Sequence, residues 1–198
     1  RIIVRKQDTF QVRMAKSAAL LYWLGIAVML AGAVMPIEPE LDRAPVFLLS
    51  GLGLVATVVL ILFPWDKFSY RVFYVLAGLA CLHIETLVYY SGGVESPYGL
   101  LYFLIAIWAA YFFTFRGFSL VATMVIASYL APYVYDSGFD SAHVATGLTH
   151  ILFLLIAGGL VNLLVAQLRS RTRDLSDSYK QLDRQVRELV HEKEKTHA

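Results

Sequence analysis

Three ionisable side chains, His83, Glu85 and His150, interrupt long apolar stretches of the sequence. Ionisable groups inside lipid are costly and usually mark function. At the helical rise, all three lie about 9 to 12 Å below the same edge of the membrane. Tyr129 and Tyr133 are expected in the same layer. Together these groups could form a hydrogen-bonded packing cluster, a ligand-binding or proton-sensing site, or a metal or haem site.

A metal ion or haem would have to be bound by His83 and His150, with help from Glu85. His83 and Glu85, however, are two residues apart on one helix, which separates them by about 200° around its axis. The two side chains therefore point in opposite directions, and one site cannot easily use both. We accordingly predict no metal ligand, with a metal or haem site at His83 and His150 as the alternative.

A glycine pair follows the helix that carries His83 and Glu85, in the segment Tyr89-Tyr90-Ser91-Gly92-Gly93-Val94-Glu95-Ser96-Pro97-Tyr98. The two glycines permit backbone dihedrals that other residues avoid. Serine before proline is typical of a helix N-cap followed by the first helical residue. The segment is therefore either a tight interhelical turn or an amphipathic site in which backbone N–H groups and tyrosine rings meet a quinone head group.

The stretch from His83 to Phe112 resembles the sensor region of six-helix bacterial histidine kinases and is most similar to the Reg/Prr-type redox-sensing kinases. That family has a Gly-Gly-x-x-Asn-Pro-Phe segment, implicated in ubiquinone sensing, on the outer side between the third and fourth helices. Here Gly92, Gly93 and Pro97 match, while Ser96 replaces Asn and Tyr98 replaces Phe. The resemblance implies a transmembrane sensor with a quinone as its ligand and a response regulator as partner of the whole kinase.

Both lines of reasoning point to one set of candidate ligand-binding residues: Glu85, His83, His150, Tyr89, Gly92, Gly93, Ser96, Pro97 and Tyr98. We expect no catalytic residue, because the sequence has no Gly-rich phosphate loop, acidic metal pair or nucleotide motif.

Hydrophobic residues make up 58% of the chain and charged residues 16%, against about 25% charged in a typical soluble domain. This composition excludes a disordered chain, a nucleic-acid-binding tail and an ordinary soluble domain.

The charged residues are concentrated at the two ends of the chain. Six lie in residues 1–16 and fourteen in residues 169–195. Of the other twelve, Glu85 is the one deep inside an apolar run, Arg71 is at the start of one, and the rest lie in the short gaps between the runs. These runs are long enough to cross a hydrocarbon core of ~30 Å, and they cover about 17–36, 45–64, 70–90, 97–115, 117–135 and 143–168. The sequence therefore predicts an all-α, polytopic protein with a six-helix transmembrane domain over 17–168.

Lys and Arg predict the orientation of the chain. Eleven basic residues flank the predicted helices on one face, and one flanks them on the other. By the positive-inside rule, both the arm at 1–16 and the segment at 169–198 are cytoplasmic. The resemblance to bacterial sensor kinases implies that the membrane is the inner membrane of a bacterium. No cleavable signal peptide is visible, and the first residue, Arg1, indicates a fragment of a longer protein.

The C-terminal segment carries a heptad pattern. Leucine recurs every seven residues and other apolar side chains fill the alternate core positions, at Leu168, Leu175, Tyr179, Leu182, Val186 and Leu189. The pattern continues directly from the sixth predicted helix. It predicts a parallel coiled coil in a homodimer, with a solvated amphipathic helix as the alternative. Asn162, beside small residues in the sixth helix, is expected at the same dimer interface.

The predicted function is the signal-input region of a bacterial receptor, and the favoured receptor is a two-component histidine kinase. A membrane-soluble or outer-face ligand would shift the sixth helix, which passes the change to the coiled coil and to an output domain. One alternative is the same module attached to a diguanylate or adenylate cyclase. Others are a haem- or metal-binding membrane protein and a small transporter, which would have inverted repeats or broken helices at the midplane. The expected partners are membrane lipids, a second copy and a response regulator, and no nucleic acid.

Overall fold

The computed structural model of the chain describes residues 9–34, 43–135 and 141–196, and the side chains of 141–143 and 189–196 lie outside that description. Within the described residues, all regular secondary structure is helical. Short 3₁₀ turns occupy Trp65–Lys67, Gly93–Glu95 and Pro97–Leu101. The α-helices are α1 (Phe10–Val34), α2 (Arg43–Leu62), α3 (Val72–Tyr90), α4 (Tyr102–Phe112), α5 (Phe115–Leu130), α6 (Pro132–Tyr135) and α7 (Ser141–Thr196).

Five helical segments are long and apolar enough to cross a membrane: Phe10–Val34, Arg43–Leu62, Val72–Tyr90, Phe115–Tyr135 and Val144–Glu188. They correspond to five of the six predicted apolar runs. The chain is therefore an all-α membrane protein. The first helix begins at Phe10, seven residues before the predicted start. The prediction placed the start after Lys16, the last charged residue of the N-terminal arm, whereas the helix already includes Arg13 and Lys16.

The fourth predicted span, 97–115, has a different form. It begins with the 3₁₀ turn Pro97–Leu101 and continues as α4, which ends at Phe112 because Phe113 and Thr114 are both extended. This segment is shorter than the other five apolar helices. Because a 3₁₀-helix rises about 2.0 Å per residue against 1.5 Å in an α-helix, Pro97–Phe112 still extends about 26 Å.

The short helix α4 lies at the centre of the bundle, where it contacts α1, α3, α5 and α7. Its buried positions alternate large rings with small residues, and Tyr102, Ala106 and Ala109 are almost fully shielded. Small side chains allow the neighbouring helices to approach closely. The central position of α4 means that side chains from four other helices can meet at its two ends.

The last helix, α7, is continuous over 56 residues. Its first part packs on α4 and α5, and from Arg171 to Glu188 every side chain is exposed. The apolar heptad residues Leu168, Leu175 and Leu182 are each more than half exposed in the single protomer. The side chain of Leu189 lies outside the described residues, as do residues 1–8, 35–42 and 136–140, which carry part of the charge pattern behind the predicted orientation.

Candidate functional site

Glu85 of α3 accepts two hydrogen bonds from tyrosine hydroxyls on other helices. Tyr102, the first residue of α4, donates to Oε2 at 2.5 Å, and Tyr135 of α6 donates to Oε1 at 2.9 Å. Hydrogen bonds to a carboxylate are about twice as strong as those between neutral groups. The half-buried carboxylate thus joins α3 to both α4 and α6.

His150 of α7 forms a second polar pair beside the first. Its Nδ1 is 2.6 Å from the hydroxyl of Tyr129 of α5, and the tautomer decides which group donates. The rings of Tyr129 and Tyr102 meet edge to face, with centroids 6.0 Å apart, so the two pairs are adjacent. We call Glu85, Tyr102, Tyr129, Tyr135 and His150 the polar cluster.

Local sequence features bring these side chains together. Pro132 begins the short helix α6 directly after Ala131, and α6 contacts the 3₁₀ turn Gly93–Glu95 that follows α3, which brings Tyr135 within reach of Glu85. Gly147 of α7 faces the ring of Tyr133, and a side chain there would collide with that ring. The glycine therefore allows α7 to pass closely enough for His150, one turn later, to reach Tyr129.

His83 lies on the other side of α3. Its ring contacts that of Tyr22 of α1, with centroids 6.1 Å apart, and it faces a cavity between α1 and α3. This is the arrangement that the 200° separation from Glu85 predicts. The structure brings Glu85 and His150 into one cluster through two tyrosines and leaves His83 out of it. Within the described residues, no three His, Cys, Asp or Glu side chains group closely enough to hold a metal ion.

The glycine pair forms a turn between α3 and α4. Gly92 and Gly93 have φ of 107° and 60°, which only glycine adopts at low cost. The side chain of Ser96 accepts a hydrogen bond from the backbone N–H of Tyr98 at 3.3 Å, and its hydroxyl is 2.6 Å from that of Ser91. The predicted N-cap at Ser96 followed by Pro97 is therefore present, here at the start of a 3₁₀ turn.

The contacts of this segment favour the interpretation as an interhelical turn. The backbone N–H groups of Glu95 and Ser96 donate to the carbonyls of the two glycines. Tyr98 is buried, and its hydroxyl donates to the Met29 carbonyl of α1 at 3.3 Å. Tyr89, by contrast, is 60% exposed, and the centroid of its ring is 5.4 Å from that of Tyr135. Of the tyrosines predicted to meet a ligand, Tyr89 is therefore the one that borders the polar cluster.

Asn162 has a different contact from the predicted dimer interface. It is buried inside the protomer, where its Nδ2 donates to the carbonyls of Ala110 at 2.8 Å and Phe113 at 3.1 Å. Seven residues later Arg169 donates to the carbonyl of Tyr111 at 2.5 Å. The last carbonyls of a helix lack partners within the helix. Because α4 ends early, these carbonyls remain open, and α7 supplies the missing donors.

The polar cluster can accept, donate and exchange protons, since it contains a carboxylate, an imidazole and three phenols. Its exposed member Tyr135 and the bordering Tyr89 present hydroxyl groups and aromatic faces at the surface of the protomer. No protein-family model, curated protein or solved structure matches this chain at a significant level.

Proposed function

We propose that this chain is the transmembrane signal-input region of a bacterial receptor, with a histidine kinase as the output of the whole protein. The chain itself binds and transmits and does not catalyse. The observation that carries the proposal is the continuity of α7, which bears His150 in the polar cluster and the heptad pattern on one unbroken helix. A change of hydrogen bonding in the cluster therefore acts directly on the helix that leads out of the membrane.

The proposed topology has six crossings with both termini in the cytoplasm, in the bacterial inner membrane. Five crossings are the long apolar helices. The remaining one, fourth along the chain, is the segment Pro97–Phe112, whose extension of about 26 Å approaches the ~30 Å of a hydrocarbon core. An even number of crossings returns α7 to the side on which the chain began. The excess of Lys and Arg at both ends supports the cytoplasm as that side.

The proposed ligand is a membrane-soluble molecule, with a quinone as the first candidate. Quinone carbonyls accept hydrogen bonds, and the quinone ring stacks on aromatic side chains. Tyr135 and Tyr89 border the polar cluster on its exposed side, so a quinone head group could reach Glu85 from there. The carboxylate and the quinone would compete for the same phenolic hydrogen, and this competition would loosen the link between α3 and α6.

The proposed transmission runs through the two ends of α4. At its first residue, Tyr102 is bound to Glu85, and at its last turn the carbonyls are bound to Asn162 and Arg169 of α7. A ligand that binds one arrangement of these contacts more tightly shifts the population towards it. The result would be a change in the position of α7 relative to α4.

The proposed output surface is a parallel, dimeric coiled coil formed by two copies of α7. The heptad side chains described in the structure, from Leu168 to Val186, are each at least half exposed in one protomer. A stripe of exposed apolar side chains on a cytoplasmic helix is stabilised by a second copy that covers it. Rotation of α7 would then change the register or rotation of the pair and so reach the output domain.

The experiment that tests this proposal joins residues 1–198 in heptad register to a kinase core of known autophosphorylation rate, in lipid nanodiscs. Decylubiquinone in its oxidised and reduced forms serves as the probe. We expect one form to change autophosphorylation by about fivefold or more, a typical size for coupling between sites. Tyr129→Phe and Glu85→Gln should abolish that response, while Tyr70→Phe, an exposed tyrosine of the loop before α3, should retain it. A rate that neither form alters would refute quinone sensing, and a rate unaffected by either substitution would refute the role of the cluster.

A further inference from the structure

A cavity of about 600 Å³ lies between the pair α1–α2 and the helices α3 and α4. It is on the opposite side of α3 from the polar cluster, and almost all of its wall is aliphatic or aromatic. Cavities that bind small molecules typically measure about 300 to 1,000 Å³ and combine apolar walls with a few polar groups. This cavity has that size and that composition.

Two polar side chains in the wall have no hydrogen-bond partner among the described residues: the imidazole of His83 and the hydroxyl of Tyr22. Their rings are in contact, so the two groups are at one place in the cavity. Both side chains are half-buried. Polar groups without hydrogen bonds are costly inside a bilayer, because its core has no water to satisfy them. A pair of such groups in contact indicates a site for a molecule that supplies the missing bonds.

The other polar side chains of the wall are satisfied, which sets this pair apart. Thr86 donates to the Leu82 carbonyl at 2.8 Å, and the indole of Trp65 donates to the Leu60 carbonyl at 2.9 Å. The indole of Trp108 donates to the hydroxyl of Ser17 at 3.0 Å. Among the described residues, the polar side chains of the cavity wall therefore have hydrogen-bond partners, except for His83 and Tyr22.

Glycine keeps the space beside these two groups open. Gly25 of α1 lines the cavity, and a side chain added there would meet no atom within 4 Å. Gly53 of α2 faces Ile26, and a Cβ at that position would crowd the Ile26 side chain, while the Nε2 of His83 would be at an ordinary contact distance of 3.8 Å. Glycine in the middle of a helix is unfavourable relative to alanine. The free space at Gly25 is thus retained at a cost to the helix.

We propose that this cavity binds a neutral, lipid-soluble molecule whose hydroxyl or carbonyl oxygen bonds to His83 and Tyr22. The apolar chain or ring system of that molecule would lie along the aliphatic walls. Neutrality follows from the wall, which contains no Lys, Arg, Asp or Glu. The position of His83, about 12 Å below the membrane edge, is too deep for a phospholipid head group. This site is separate from the polar cluster and does not depend on the proposed function.

The test is photoaffinity labelling of the full chain in phosphatidylcholine nanodiscs with a hexadecanol that carries a diazirine group, followed by mass spectrometry of the labelled peptides. We expect saturable labelling of cavity-lining residues of α1, α2 and α3. Unlabelled hexadecanol should compete, and hexadecane, which lacks the oxygen, should not. A Gly25→Leu substitution fills the open space and should lower specific labelling about tenfold or more. A His83→Phe substitution keeps a ring of similar size and should raise the half-saturating concentration about fivefold.

Gly51→Leu is the matched control, because Gly51 is exposed on α2, does not line the cavity and has equally open space for a side chain. Labelling of this variant should equal that of the wild type. Labelling that does not saturate, or that is equal in Gly25→Leu and Gly51→Leu, would overturn the proposal. Competition by hexadecane as strong as by hexadecanol, with His83→Phe unaffected, would show an acyl chain as the occupant and would also overturn it. If Gly25→Leu does not fold, as judged by circular dichroism, the comparison of His83→Phe with wild type decides.

Discussion

At the scale of single residues, the carboxylate of Glu85 holds three helices together by accepting hydrogen bonds from Tyr102 and Tyr135. Glu85 is recognisable from sequence because it is the one charge inside an apolar run, and His150 because of its depth. Tyr102 and Tyr135, which bind the carboxylate, carry no such signal, since the chain has 12 tyrosines and their partners are decided by how distant helices pack. Depth would have selected Tyr102, which lies five residues inside its predicted span and so near the level of Glu85, but not Tyr135, which is the last residue of its predicted span.

At Glu85, replacement by alanine removes an acceptor for two hydroxyls at once. We expect Glu85→Ala to lower the free energy of unfolding by about 1–3 kcal/mol, because Tyr102 is then left buried without its partner. Glu85→Gln retains acceptor capacity and should cost less. Thermal unfolding in nanodiscs measures both, with Glu188→Ala on the exposed face of α7 as the control. Equal stability of Glu85→Ala and the control would contradict the role of the carboxylate in joining the helices.

Replacement by alanine should change the free energy of unfolding in opposite directions at Gly92, in the turn, and at Gly78, inside α3. Neither position would bring a new side chain into contact with other atoms, so only the backbone matters. Gly92→Ala should destabilise by about 1–2 kcal/mol, because φ is 107° there. Gly78→Ala lies inside α3 and should stabilise by about 0.5–1 kcal/mol. Melting temperatures that move in the same direction for both variants would be inconsistent with this reading of the turn.

At the scale of elements, apolar periodicity located the helices but not the ends of the fourth one. The run 97–115 is uniformly apolar, so hydropathy gives no reason for α4 to stop at Phe112. The stop depends on the extended residues Phe113 and Thr114 and on donors from α7, a helix that lies about 50 residues further along the chain. Local patterns could not predict this, because the carbonyls of α4 are satisfied only in the folded bundle.

The contact between α7 and the end of α4 leads to a prediction about Asn162. Asn162→Leu removes both donors to the carbonyls of Ala110 and Phe113 and should cost about 1–3 kcal/mol, since the carbonyls stay buried. Gln167→Leu, an exposed amide on the same helix, should be within about 0.5 kcal/mol of wild type. Chemical denaturation in detergent compares the two. If Asn162 instead lay at a dimer interface, the loss of stability in Asn162→Leu would depend on the protein concentration.

For the whole molecule, the amino-acid sequence indicated a helical membrane protein whose last helix continues into the C-terminal segment. The five long apolar helices and the continuous α7 agree with this. The partition of charge and the length of apolar runs carry that information because lipid permits few other arrangements. The association of two copies remains our proposal, and its basis is the stripe of heptad residues on α7 that is exposed in the single protomer.

The most direct test of the account is cysteine crosslinking along α7 from residue 172 to residue 187, with Cys81→Ala removing the native thiol. We predict a periodic profile with maxima at the heptad positions Leu175, Tyr179 and Leu182 and a minimum at Arg184. We further predict that Glu85→Gln shifts the phase of this profile, because in the proposed mechanism the polar cluster sets the position of α7. A flat profile would contradict the coiled coil. A periodic profile with the same phase in wild type and Glu85→Gln would contradict the central claim, that the cluster controls the exit helix.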